Sequence, residues 1–428
     1  MKFFRRFIPN FIVQPQLRLW WLGVILGTLM IVYSCDTTES VKPNQGQTFI
    51  KLYGGSGSEE GKDLIQLPDG GFVLTGSSTS MSNGGKDIFV VRTDNLGNVV
   101  WENKYGGSGD DVGNSVILGS NNNIYVCGEK TQDSLGLLGF RDIAVLNLSL
   151  DNGSLISEKT YGDVIRDEYG TDIIEISNGF FISGTMSNPE PSQYYLIQTD
   201  SNLDTLQNSS RYTGTENVNN YSARSFEYSD PGNPFICFGT AIRSQNQTAS
   251  YWFHAFTYKG NSDNLGQVDH YGTEQNNEFC TDAFQTTDGG YILGGISSGG
   301  ATNIEMVVKV NPNLQEIWRH LYTNEFNKNI KECGIIQTKD GGYMVSSTIE
   351  LDDPKNDEIS LLKLNSEGEE QWRKTYGSNE NDTGSKVIQL DDGSYAVIGT
   401  IGFEINQDSQ SKMCLMKINP NGDLVPIN

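Results

Sequence analysis

Positive charge is scarce in this chain: 30 Lys and Arg stand against 53 Asp and Glu over 428 residues, a formal net charge of −23. So few cations cannot neutralise a run of phosphates, which argues against nucleic acid as a partner. Histidine is rarer still, with three residues, and no Cys-x-x-Cys pair occurs, so little is on hand for a metal centre. No phosphate loop or EF-hand calcium loop appears. Hydrophobic residues make up only 36%, and proline numbers 12. Aromatics, at 10%, are spread along the whole chain, which excludes wholesale disorder. What is abundant is glycine: 48 residues, about 11% of the chain against roughly 7% in an average protein.

The N-terminus reads as a targeting segment. Residues 1–18 hold Lys2, Arg5, Arg6 and Arg18 with no acid, and a largely apolar run follows from Leu19 to Tyr33. That run is short for a membrane span of about 20 residues, and with its basic flank it describes a secretory signal. The next residues, Val32-Tyr33-Ser34-Cys35, resemble the lipobox of bacterial lipoproteins. The resemblance implies cleavage after residue 34 and more than one acyl chain on Cys35, which gives stable anchoring where a single chain does not. Removing residues 1–34 takes four positive charges from the net −23 and leaves −27. Residues 35–46, including Asp36 to Pro43, lack apolar periodicity and read as a tether. An Asp after the lipid-bearing Cys is similar to an inner-membrane retention signal of enteric bacteria. In Bacteroidota-type lipoproteins, acids near this point instead resemble surface-export signals.

Internal repeats set the expected fold. A Tyr anchor, usually followed by Gly, recurs at Tyr53, Tyr105, Tyr161, Tyr212, Tyr271, Tyr322 and Tyr376, with spacings of 52, 56, 51, 59, 51 and 54. This is the period of propeller blades. About 20 residues after an anchor comes a turn such as Asp69-Gly70-Gly71 or Asp340-Gly341-Gly342, then an apolar strand such as DIFVVRTD from Asp87. A fourth strand carries Trp four residues before Tyr, as in Trp101/Tyr105, Trp318/Tyr322 and Trp372/Tyr376. Residues i and i+4 of a strand share a face, so each pair is expected to pack into a blade core. Seven repeats of four strands predict an all-β, seven-bladed propeller over residues 47–428. The last repeat lacks its fourth strand, so residues 47–53 are expected to complete it and close the ring. The glycines then have a cause, because tight hairpin turns need positive φ.

The whole pattern, from lipobox and tether through Y-G-G, D-G-G-F/Y, D-I-x-V-x-K/R and G-x-x-x-W, resembles Bacteroidota lipoproteins built on such repeats. It covers nearly all of the mature chain, with blades three and four the poorest matches. The turns Asp94-x-x-Gly97-x-x-x-Trp101 and Asn365-x-x-Gly368-x-x-x-Trp372 are similar to those of quinoprotein-type propellers. The family resemblance implies an outer-membrane, lipid-anchored protein, with cell-surface exposure as one orientation. No cofactor is expected beyond the covalent lipid on Cys35.

In a propeller the d–a and b–c loops lie on one face. Here they are longer and more varied than the a–b and c–d turns, so binding is expected there. That face should carry Glu59, Glu60, Asp110, Asp111, Asp167, Glu168, Glu380 and Asp382. Two readings stand side by side: an acidic rim for a basic protein partner or cations, or solvated charge that keeps the protein soluble. The loop Ser134 to Phe140 adds Leu137, Leu138 and Phe140 as a candidate apolar contact. Blade four is rich in aromatics, among them Tyr221, Phe226, Tyr251, Trp252, Phe253 and Phe256, for which core packing is the first reading. Cys127, Cys237, Cys280, Cys333 and Cys414 fall in expected strands, and an odd number gives no complete disulfide framework. Cys280 and Cys333 lie on neighbouring inner strands and pair only if their Cα atoms approach within about 7 Å. No catalytic or metal-ligating residue is assigned, since His254, His270 and His320 lack ligand spacing. The expected function is a protein-binding scaffold in the envelope. The alternative is a surface protein that binds or processes glycans.

Overall fold

The computed structural model describes residues 48–424 apart from residues 83, 132–138, 189–190, 214–218, 231, 246–247, 260–264, 274, 301, 324–327, 352–355 and 406–407. Cys35, the signal segment, the tether, Leu137 and Leu138 lie outside the described residues. Twenty-eight strands, β1 to β28 in chain order, form seven four-stranded antiparallel sheets. These are the blades of a seven-bladed propeller. Among the described residues no helix is long and apolar enough to cross a membrane.

The innermost strands are β2 (Glu59–Gln66), β6 (Val112–Leu118), β10 (Asp167–Ile176), β14 (Asn220–Asp230), β18 (Asn277–Gln285), β22 (Ile330–Gln337) and β26 (Thr383–Gln389). Each touches the next around the ring, and β26 touches β2. The expected closure is present. β1 (Phe49–Tyr53) pairs antiparallel with β28 (Asp408–Ile418), from Phe49 opposite Lys417 to Tyr53 opposite Met413, and so becomes the outer strand of blade seven. The first strand of the ring thus completes the last blade, as the orphan FIKLY segment implied.

The core lies between blades rather than within them. Each of seven apolar clusters draws on two adjacent sheets. One joins Leu64, Phe72, Leu74 and Phe89 of blade one to Ala396, Ile398, Met413 and Leu415 of blade seven. Another joins Cys127, Ile143 and Val145 of blade two to Ile173, Ile182 and Ile197 of blade three. A single sheet has no interior of its own, so its two faces are buried only by its neighbours.

This corrects the expected destination of the Tyr/Trp pairs. Trp101 and Tyr105 pack against the cluster shared by blades one and two, and Trp101 Nε1 donates to Leu150 O of blade two. The anchor hydroxyls reach across in the same way. Tyr53 donates to Gly97 O at 2.9 Å, Tyr161 to Leu203 O at 2.7 Å, Tyr271 to Leu314 O at 2.7 Å and Tyr322 to Gly368 O at 2.6 Å. In every case the acceptor is the c–d turn residue with positive φ in the next blade. That residue is glycine at 97, 153, 368 and 422 but leucine at 203 and 314. Both leucines are 1% exposed, so burial of the side chain offsets the left-handed backbone. The repeated tyrosine is therefore a latch from one blade to the next.

Blade four follows its first reading. Phe253, Phe256 and Tyr258 are fully buried, and His254 lies among them with Nδ1 2.8 Å from the Tyr194 hydroxyl. Burial, with His270 beside it, lowers the His254 pKa to about 3, so the ring is neutral. The five cysteines from Cys127 to Cys414 are buried free thiols.

Candidate binding face and central channel

All seven inner strands break register near the same point. The breaks fall between Gly61 and Asp63, Gly113 and Ser115, Gly170 and Asp172, Ser222 and Arg224, Cys280 and Asp282, Ile330 and Cys333, and Gly384 and Lys386. Such bulges re-aim the extra residue, here toward the ring axis. The residue after the bulge clasps the next blade. Asp63 Oδ2 accepts from Val116 N, Asp172 Oδ2 from Ser225 N and Asp282 Oδ2 from Ile335 N, each at 2.8–2.9 Å. Cations complete the belt: Lys386 Nζ lies 2.8 Å from Asp63, and Arg224 bridges Asp172 at 3.0 Å and Asp282 at 2.7 Å. Burial disfavours the Arg224 charge, but the two carboxylates outweigh it and raise its pKa further.

The acids of the d–a/b–c face divide sharply. Glu59, Asp111, Glu168 and Asp382 are fully buried at the junction where one blade's last strand hands over to the next blade's first. Asp111 accepts from Gly107 N at 2.6 Å and Thr131 N at 2.9 Å, and Asp382 accepts from Gly402 N at 2.8 Å. Glu59 accepts from Ser78, from Ser80 and from Lys412 Nζ, the last at 2.6 Å. Glu278 takes the same place in blade five, accepting from Thr273 Oγ1 at 2.9 Å, and was not among the sequence candidates. Its signal is spacing: each of these acids follows its anchor tyrosine by six or seven residues. The glycine after the anchor is required here, because a Cβ on Gly106 would fall 2.2 Å from Asp87 and 2.5 Å from Asp111.

The other four acids reach solvent. Asp110 is exposed, while Glu60, Asp167 and Glu380 are partly so. Asp110 Oδ1 caps Lys86 N and Asp167 Oδ1 caps Arg141 N, both at 3.0 Å. Asn219, Asn277, Asn329 and Asn381 make the equivalent bond in blades four to seven, to Ser192 N, Tyr251 N, Asn303 N and Asp357 N. A neutral amide does that structural work, so that bond does not itself need the charges on Asp110 and Asp167; the Asp110 carboxylate also lies 4.0 Å from Arg141. Glu60 is bridged to Lys86 at 2.8 Å. Phe140 is partly buried at the end of its loop.

One pocket occupies the axis and another opens beside it, among blades six, seven and one. The side pocket, of about 410 Å³, opens on the d–a/b–c face among Glu60, Lys62, Lys331, Glu332, Asn381 and Gln410. The axial one, of about 310 Å³, lies along the inner strands among Lys62, Asn114, Thr171, Arg224, Thr281 and Lys386. Among the described residues no aromatic side chain lines either one, and the walls are largely hydroxyls, amides and charges. Such walls recognise a polar ligand by hydrogen bonds and ion pairs. The signal for this wall was in the sequence as Gly61-Lys62-Asp63, Gly113-Asn114-Ser115, Gly170-Thr171-Asp172 and Gly384-Ser385-Lys386, a Gly-led polar triplet on four of the seven inner strands.

No protein-family model matches the chain, and no curated protein matches it in sequence. Among solved structures the chain is similar to a protein of unknown function from Dyadobacter fermentans, at 11% identity and TM-score 0.46, covering 86% of this chain and 97% of that one. It is similar at 12% identity and TM-score 0.46 to a periplasmic gluconolactonase, PpgL, of Pseudomonas aeruginosa, covering 74% and 85%. The β-propeller domain of the Trilobed protease from Pyrococcus furiosus matches at 8% identity and TM-score 0.46, covering 86% and 97%. Likeness at this level carries no information about activity.

Proposed function

We propose that this protein is a lipid-anchored component of the cell envelope, held at the outer membrane through Cys35, whose propeller is a scaffold for a protein partner. The partner meets the d–a/b–c face. The observation that supports this reading is the charge on Asp110 and Asp167, whose structural bond asparagine makes elsewhere in the ring. These charges stand on loops pinned by buried carboxylates, and a preordered surface loses less entropy on binding. Rim acids of this kind suit a basic protein surface and chiefly raise the association rate at low salt. The glycan reading ranks second because neither pocket offers an aromatic platform among the described residues.

Two experiments test the proposal. Labelling with radioactive fatty acid should mark the wild type and not Cys35→Ala; equal labelling refutes the anchor. Affinity capture from detergent-solubilised membranes should recover a salt-sensitive basic partner. Asp110→Asn with Asp167→Asn, which keeps both structural bonds, should lose that partner. Undiminished recovery by the double variant refutes the rim as contact surface.

A further inference from the structure

Among the described residues only Lys62 and Glu332 line both pockets, so they mark the neck between the side mouth and the channel. Both are bulge residues, yet they depart from the rest of the ring. Elsewhere the bulge side chain turns to the wall: Asn114 Nδ2 donates to Gly170 O, Thr281 Oγ1 to Cys333 O and Ser385 Oγ to Gly61 O, each bond crossing to the next blade. Thr171 Oγ1 donates to Ser183 O. In blade six the break is wider, with Lys331 and Glu332 opposite Thr348. Lys331 turns outward to Asp357 at 2.7 Å, which leaves Glu332 at the axis. Among the described residues neither Lys62 nor Glu332 forms an ion pair, with each other or with a third group. The field of Lys62 reaches Glu129, but Glu129 is hydrogen-bonded to Asn114.

An ammonium and a carboxylate therefore face one small polar space, each without a counter-charge in contact. A simple anion would satisfy Lys62 and meet Glu332 as a like charge, and a simple cation would do the reverse. A ligand with both charges satisfies both. The hydroxyls of Thr171 and Ser385 spend their protons on backbone carbonyls, so they present lone pairs to the channel and favour a ligand that donates. We infer that the neck of the channel is a binding site for a small zwitterion of the α-amino acid class. Its carboxylate lies on the Lys62 ammonium and its ammonium on the Glu332 carboxylate. The site is separate from the rim and does not depend on the anchor or on the protein partner.

Titration calorimetry on the full chain tests this with free L-amino acids, glycine included, as ligands. Propionate, ethylamine and glucose serve as probes carrying one charge or none. At least one amino acid should bind and the three single-feature probes should not. A charge-assisted bond supports at least about a tenfold difference in affinity, so Lys62→Gln and Glu332→Gln should each weaken binding by that factor or more. Neither residue holds the fold, so melting temperatures should match the wild type; the exchange Lys62→Glu with Glu332→Lys should recover binding with the ligand reversed. The inference fails if no amino acid binds, if propionate or glucose binds equally well, or if binding survives both single substitutions.

Discussion

On the face made by the a–b and c–d turns, Asp94, Asp288, Asp340, Asp392 and Asp423 are held below the usual carboxylate range. On the opposite face Asp111, Glu129, Glu278 and Asp382 are pushed above it. Burial opposes the charge of Asp288, but the Thr286 hydroxyl, Gly290 N–H and Lys309 ammonium outweigh it and bring the pKa to about 2. Asp340 and Asp392 repeat this with Lys363 and Lys417, at 2.9 Å each. Burial dominates at Asp111 and is only partly offset by the Gly107 and Thr131 N–H groups, while the neighbouring Asp87 adds to it. The repeat therefore uses one residue type in two ways. The a–b turn acids Asp288, Asp340 and Asp392 are tied to a lysine of their own blade, and the c–d turn acids Asp94 and Asp423 face Lys51 and Lys374 of the preceding blade; junction acids are wedged between two blades. Depressed acids stabilise the fold when ionised, and raised acids stabilise it when protonated.

The sharpest break in this comparison is the junction where a cation replaces the second acid. Lys412 is there, 2.6 Å from the fully buried Glu59. Lys412→Met should cost about 3–5 kcal/mol by urea denaturation, because it strands a buried carboxylate. Next is pH. As pH falls from 7, the raised acids of the d–a face take up protons before the same residues do in the unfolded chain, so the melting temperature should rise. Below about pH 4 the unfolded chain takes up protons that the turn acids still refuse in the fold, so stability should fall again. A melting temperature that only declines from pH 7 downward would break the contrast. Smaller is the latch: Tyr376→Phe removes the bond to Gly422 O, 2.5 Å long, and should cost about 1 kcal/mol. Smallest is Asp340→Asn. Its carboxylate is more than half exposed, so unfolding at pH 7 should shift by less than about 1 kcal/mol. At pH 3 the difference should shrink.

Much of the ring was legible because it repeats. Seven anchors gave the blades, Asp-Gly turns gave the hairpins, and the orphan FIKLY segment gave the closure. Sequence could not separate Glu59 from Glu60, Asp110 from Asp111 or Asp167 from Glu168, which are neighbours with opposite fates. Strand alternation sends adjacent residues to opposite sides. Which member goes inward depends on where the strand begins, and loop length sets that. Likewise, the shared face of Trp101 and Tyr105 followed from their spacing. Its destination did not, because what a blade packs against is its neighbour some fifty residues away. The channel went unread for a related reason: a bulge leaves no signature in one strand and becomes visible only when seven are compared.

The closure at β1 also has a mechanical meaning. The ring's seam is a ladder of five residue pairs, Phe49 to Tyr53 against Lys417 to Met413, with the Tyr53 hydroxyl fastened to Gly97. Any pull on the chain ahead of Thr48 enters the molecule through that strand. Force delivered from the N-terminal side is carried first by the seam and only afterwards by the interlocked blades. The strand that finishes the ring is thus the joint that meets such a load first.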